Sequence, residues 1–523
     1  MKRLVFSVMF VLMCHCLGVV VGKNASEWRS RTIYQLLTDR FASSNVSSIR
    51  CQSNPMTRAE SRIYCGGTYR GATDQLDYIS EMGFDAIWIS PIPSNVDNET
   101  VYGVGWHGYW QDHLDQLNRH FGNEEDLLSF IAEAHRRDIW ILLDVVVNHV
   151  GPNCTGDYVP FILEEHYHQP MCSIRDYNNQ TEVEFCSLGD ERSLLPDLNT
   201  ENEFVISTFI NWINDTVRKY QFDGIRIDTF RHVRKSFWKD YIDAAGVYSL
   251  GEVASSNSSY AGSYQKVADG ILHYPLYFVL NVTFTDDDRS RQSMRLLEKQ
   301  VNDNERDFID TTLCGTFLDN HDQDRFLNHT QNRQRIENAL VYLLFSDGIP
   351  IVYMGTEQNF TGNPNEENGA NDPWNRQALW TSNYDRDHWI YHYLSQLNRI
   401  RSMIKRTLGE QFFSSHQQTM FIDDQTYVYR KGSLLIIVSN EPFNQTKFIR
   451  FPSNIATSSS MWTDLLSNRT VTLDEHNRME IRHWSPQLLL PFDVVSSSTL
   501  LSTSVVLTLA VVVVLLIQTT GDI

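Results

Sequence analysis

Basic residues are scarce in this chain of 523 amino acids: 44 Lys plus Arg stand against 64 Asp plus Glu, a net charge of −20. So acidic a surface repels phosphate backbones and anionic lipid heads, which argues against nucleic acid and polybasic membrane binding. No dinucleotide or phosphate-cradling glycine motif is present, and there is no internal repeat. With 42% hydrophobic and 12% aromatic residues, disorder is not the default either. What remains is a large acidic globular protein with a neutral or cationic substrate. Its length predicts two to four units, although one α/β barrel takes about 250 residues.

The ends of the chain point to a compartment. Lys2 and Arg3 precede an apolar run from Leu4 to Val21, so residues 1–22 read as a secretory signal peptide. At the other end, Ser/Thr-rich Ser496–Ser504 leads into the uncharged run Val505–Ile517. Residues 493–523 therefore resemble a GPI-attachment signal, with a single-pass anchor over Leu500–Ile517 as the alternative. The expected location is the cell surface or wall, by way of the secretory pathway, with the membrane met only through this tail. N-x-S/T sequons, Asn257, Asn281 and Asn468 among them, agree with that route, although chance alone gives several. Of eight cysteines, Cys14 and Cys16 leave with the signal. Cys51 with Cys65, and Cys172 with Cys186, would each close a loop of about 15 residues worth roughly 3 kcal/mol. Cys154 and Cys314 are left over, Cys314 in an apolar run that reads as core.

Short apolar runs alternate with amphipathic helical stretches, which predicts a parallel sheet. The runs are Ile33–Leu37, Ala86–Ser90, Trp140–Val147, Gly224–Asp228, Tyr248–Val253, Gly270–Tyr274, Thr316–Leu318 and Ile349–Tyr353. Eight of them suggest an α/β fold closed into a (β/α)8 TIM barrel over 23–149 and 203–405, with a doubly wound open sheet as the rival. Helices are expected over Thr73–Met82, Glu124–Arg137, Phe204–Lys219 and Arg234–Ala244. The irregular stretch 150–202 reads as an inserted domain after the third strand, because a loop that long carries function or its own structure. Alternating strands over 406–492 read as a C-terminal antiparallel β-sandwich domain.

In a barrel the reactive groups sit at the C-terminal strand ends. Four apolar runs here end in titratable residues: DVVVNH (Asp144–His149), GIRIDTFRH with Arg226 and Asp228, GEV with Glu252, and FLDNHD with His321 and Asp322. Unpaired buried charge is costly, so such endings point to function. Carboxylates converging on one mouth suit glycoside cleavage, in which a nucleophile attacks the anomeric carbon and an acid protonates the leaving oxygen. Arg226 is expected to hold Asp228 ionised, and burial near another carboxylate to raise Glu252.

These four stretches, in this order and joined by LPDL at Leu195–Leu198, resemble the fungal α-amylases of the α-amylase glycoside hydrolase family, from about Trp28 to Phe492. The resemblance implies a retaining hydrolase of α-1,4-glucans with Asp228 as nucleophile, Glu252 as acid/base and Asp322 as transition-state stabiliser. It implies that Arg226 orients the nucleophile, that His149 and His321 donate to sugar hydroxyls, and that Tyr109 stacks on the sugar with His107 and Trp110 beside it. It further implies a structural Ca²⁺ held by Asn148, Glu184, Asp197 and the carbonyl of His232, an oxygen set suited to calcium rather than zinc. Arg231 would meet the leaving side and His232 the substrate, while Asp372 and Arg376 would hold more distant glucose units or form a surface ion pair. The partner is then an α-glucan polysaccharide or oligosaccharide, and a monomer is expected.

Three departures cluster, by this reading, on the leaving side. Arg231 replaces a usual Lys, Trp106 a usual Tyr, and Ala254–Ser255–Ser256 stands where an acidic residue is usual. A 4-α-glucanotransferase acting on wall glucan, in which a sugar hydroxyl replaces water, therefore stays open beside the hydrolase. A glycan-binding wall protein on a degenerate barrel is the non-enzymatic alternative.

Overall fold

A computed structural model describes residues 23–152, 156–286, 292–441, 447–450, 461–481 and 484–497. The signal peptide, Cys154 and the apolar C-terminal run lie outside the described residues.

Eight short strands form the centre: β1 (Ile33–Gln35), β2 (Ala86–Ile89), β3 (Trp140–Val145), β4 (Gly224–Ile227), β5 (Tyr248–Gly251), β6 (Gly270–Ile271), β7 (Gly315–Thr316) and β8 (Ile349–Tyr353). Each lies parallel to its neighbours, with Ile33 beside both Ala86 and Ile351, Leu142 beside Gly224, and Leu250 beside Gly270. The ring is nearly closed by a parallel bridge from Leu272 to Gly315, which decides between barrel and open sheet. Both faces are buried, which is why the strands read as continuous apolar runs.

The period-2 alternation of a strand sorts these residues into two layers. Ile33, Ala86, Trp88, Trp140, Leu142, Tyr248, Leu250 and Ile351 pack together inside the barrel. Their neighbours Tyr34, Ile87, Ile141, Leu143, Ile225, Ile227 and Val352 face the helices. Continued upward, the inward stripe reaches Asp144 on β3, Arg226 and Asp228 on β4, and Glu252 just past β5. Strand parity thus delivers the charged residues to one mouth.

The helices follow their local signals. Asn123 and Asp126 form a capping box for Glu124–Arg136, which buries Leu127, Phe130, Ile131 and Ala134 along one stripe. Asn202 caps Glu203–Tyr220, which stops where Gln221 turns left-handed at φ 60°. The helix expected over Thr73–Met82 is instead two, Tyr69–Asp74 and Leu76–Glu81. Thr73 donates its hydroxyl to the Tyr69 carbonyl at 2.9 Å, a back-bond that bends helices.

After β3 the chain leaves the barrel through bridges rather than long strands, among them His149 to Asp197 and Ser173 to Ser187, with the short helices Glu164–His166 and Gln180–Phe185 among its described residues. The Cys172–Cys186 disulfide staples this segment and Cys51–Cys65 the loop after β1. Cys314 is a buried free thiol. At the C-terminus six antiparallel strands form one sheet, ordered Gln418–Ile422, Thr426–Lys431, Leu434–Ser439, Gln487–Pro491, Met461–Asp464 and Arg469–Thr472. Tyr427, Tyr429 and Ile436 on one face join the barrel's outer core, and Val428, Leu435 and Ile437 on the other face pack with Trp462 and Met479. Among the described residues no helix is long and apolar enough to cross a membrane.

Candidate active site

Arg226 organises the mouth. Its side chain is fully buried, and Nη1 donates to Asp144 at 2.9 Å and to Asp228 at 2.8 Å, while Nη2 lies 2.8 Å from Glu252. One guanidinium therefore serves three carboxylates, not Asp228 alone. Asp144, to which the sequence reading gave no role, anchors the arginine. It also accepts from Trp88 Nε1 at 2.9 Å and Tyr109 OH at 2.8 Å, and burial pushes its carboxyl up to about 6.

Arg226 pairs with Asp228, but it is not the only influence on that carboxyl. Burial, helped by the neighbouring charges of Glu252, Asp144 and Asp322, outweighs the arginine and pushes the Asp228 carboxyl well up. Glu252 is fixed by the Thr229 amide, which donates to it at 2.8 Å.

Asp322 enters from the loop after β7 and is about one-third exposed. Arg376 Nη2 holds its carboxylate at 2.9 Å while Nε donates to the His321 carbonyl at 2.9 Å. Arg376, expected at more distant glucose units or in an ion pair with Asp372, is buried and positions the Asp322 carboxylate. Asp372, half exposed, pairs with Arg376 at 3.1 Å.

Rings wall the mouth. Tyr109 stacks on His321 at 5.2 Å and on His107 at 5.7 Å, and His107 meets the edge of Trp110 at 4.8 Å. Gln35 bonds His321 Nδ1 at 2.7 Å, and His149 Nε2 lies 3.2 Å from the Tyr109 carbonyl. Burial lowers all three histidines, His149 to about 4, so each is neutral near pH 7 and offers hydroxyls one donor or acceptor rather than a charge. Arg231 sits over the Tyr177 ring at 4.8 Å, and His232 meets that ring edge-on at 6.2 Å. Both His232 ring nitrogens are buried without a hydrogen-bond partner. Trp106 does not belong to this side: it is buried, donates to the Ser61 carbonyl at 3.0 Å and carries Arg40 on its face at 3.6 Å.

The residues expected to hold calcium are partly assembled. The Asn148 carbonyl accepts from the Leu198 amide at 2.8 Å, which brings Asn148 beside Asp197. Asn148 Oδ1 and Asp197 Oδ1 are buried and accept no hydrogen bond. Glu184 accepts from Gln180 Nε2 at 2.7 Å, and the same nitrogen reaches the Arg231 carbonyl at 3.0 Å, next to His232. His168, which the sequence did not flag, takes the other Asp197 oxygen at 2.5 Å. Among the described residues no three His, Cys, Asp or Glu side chains are grouped to hold a metal, so amide and carbonyl oxygens would have to complete the set.

A barrel whose mouth gathers several carboxylates around one arginine, walled by rings suited to sugar faces, defines a glycosidase-like class. Residues 35–395 match the α-amylase catalytic domain. The chain is 41% identical over 386 residues to "Alpha-amylase 1" of Lipomyces kononenkoae, covering 72% of this chain and 59% of that one. It is 34% identical over 475 residues to "Alpha-amylase" of Saccharomycopsis fibuligera, covering 90% and 92%. The solved α-amylase from Malbranchea cinnamomea superposes with a TM-score of 0.82 at 37% identity, covering 91% of this chain and 99% of that one. The chain belongs to the α-amylase family of glycoside hydrolases.

Proposed function

We propose that the protein hydrolyses internal α-1,4 bonds of starch- or glycogen-like glucans with retention. The observation that carries this is the Arg226 hub, which holds Asp228 and Glu252 on one guanidinium at the barrel mouth. Asp228 attacks the anomeric carbon while Glu252 protonates the departing glycosidic oxygen. Glu252 then takes a proton from water, which displaces the carboxylate. Arg226 pairs with both carboxylates, which suits Asp228 as the attacking anion beside the guanidinium and Glu252 as the proton donor. Asp322 binds sugar hydroxyls in the distorted ring, and Tyr109 forms the platform beneath it.

Ca²⁺ between Asn148, Asp197, Glu184 and the His232 carbonyl would clamp the inserted segment to the barrel. The two unsatisfied buried oxygens support it, since each otherwise costs about 1–3 kcal/mol. Secretion and surface anchoring rest on the sequence pattern at the two ends, and the two disulfides agree with the secretory route alone.

The test is to incubate the enzyme with maltoheptaose and separate products by length. Shorter products with new reducing ends support hydrolysis. Products longer than the donor, with few new reducing ends, would instead establish the transferase. Asp228→Asn should abolish turnover with folding intact; retained activity would show that the nucleophile is misassigned.

A further inference from the structure

A second buried arginine, which the catalytic steps above do not use, is joined to the mouth through one indole. Arg40 lies on the short helix Thr38–Phe41 just past β1, fully buried, and pairs with Asp39 at 2.9 Å. Its Nη2 donates to the carbonyls of Glu60 at 3.1 Å and Ile63 at 3.0 Å, so it holds the loop that Cys51–Cys65 closes. The guanidinium lies over the Trp106 ring at 3.6 Å, and the indole Nε1 donates to the Ser61 carbonyl of the same loop at 3.0 Å. That ring also has a second cation within reach, because the Arg376 guanidinium lies over it at 5.8 Å. Trp106 is therefore shared between the arginine that builds the loop and the arginine that holds Asp322.

The charges around Arg376 leave it one stable place. Asp322 at 2.9 Å and Asp372 at 3.1 Å attract its guanidinium. Burial, and after it the Arg376 charge, lower Arg40 to about 10, so the two arginines repel each other. An indole face attracts both cations, and it does so more strongly when water is excluded and more strongly than a phenol would. Trp106 is only 2% exposed, and it stands where the α-amylase pattern usually has Tyr. We infer that Trp106 is a positioning residue: its ring, fixed by Arg40 and Ser61, holds the Arg376 guanidinium against Asp322 and so sets how well that carboxylate stabilises the transition state. The inference rests on the role proposed above for Asp322.

The test compares Trp106→Met, which fills the space without a ring, and Trp106→Phe, which keeps a ring, in the full chain and again in an Arg376→Gln background. With maltoheptaose, Trp106→Met should lower kcat about tenfold and Trp106→Phe about threefold, with KM moving less than about twofold, because the lost contact acts on the transition state. In the Arg376→Gln background both losses should shrink below about twofold, since the residues act through one contact. Losses of the same size in both backgrounds would overturn the inference, as would a change confined to KM or a Trp106→Met enzyme with wild-type kcat. If circular dichroism shows that Trp106→Met does not fold, the Trp106→Phe pair carries the same comparison. An Asp322→Asn variant with wild-type kcat would instead sink the role of Asp322 itself, and the inference with it.

Discussion

Replacing Asp144 by Asn should move the acid limb of the pH profile, although its side chain is fully buried. Asp144 and Asp228 both lie within hydrogen-bond distance of Arg226 Nη1, so their charges are about 5 Å apart. At an effective dielectric of about 20 that repulsion is worth roughly 3 kcal/mol, or about two pH units at 1.36 kcal/mol each. The Asp144 charge is one of the causes raising the Asp228 carboxyl, so its removal lowers that group. The acid limb of kcat/KM, which reports the free enzyme, should shift down by about one to two units when maltoheptaose hydrolysis is followed by reducing ends. Asn keeps an oxygen for Trp88 and Tyr109, and Arg226 keeps Asp228 and Glu252, so the fold survives. A folded variant whose acid limb stays where the wild type has it would refute the electrostatic account of the mouth.

Arg376→Gln should lower kcat about ten- to a hundredfold, because Asp322 loses a charged hydrogen bond worth about 1.5–3 kcal/mol; a change confined to affinity for long substrates would return Arg376 to an outer sugar site. Chelation with EDTA should lower Tm, since an ion bound only by the folded state contributes about 2.7 kcal/mol at a hundredfold excess over Kd, and an unmoved Tm would remove calcium from the account. At the base of the barrel, buried Lys431 lies 3.0 Å from Asp347 and holds it near 2. A depressed carboxylate stabilises above its unfolded value of about 4 and loses that contribution as pH falls toward 2, about 2 kcal/mol in all. Asp347→Asn should therefore flatten urea-unfolding stability over that window and cost about 3–5 kcal/mol near neutrality, where Lys431 is left buried and unpaired. An acid slope equal to that of the wild type would assign the loss to other groups.

The sequence by itself determined the strand set and the inward residues. Eight apolar runs with polar tips mark buried parallel strands, and strand parity alone puts Asp144, Arg226, Asp228 and Glu252 on the same inner stripe. Helix starts were equally legible wherever a cap residue precedes an apolar stripe, as at Asn123 and Asn202. Tertiary structure decided what depends on partners distant along the chain. Among the described residues closure rests on the Leu272–Gly315 bridge and the His273 amide donating to the Gly315 carbonyl. Arg376 could be assigned to Asp322 only once 54 residues of chain had folded back, and Trp106 proved to be core because Arg40 covers it. The upward shift of the Asp228 carboxyl escaped the sequence for the same reason. A neighbouring arginine is visible in GIRID, but the burial and the second and third carboxylates that outweigh it come from other strands, and burial is a property of the packed barrel rather than of the motif.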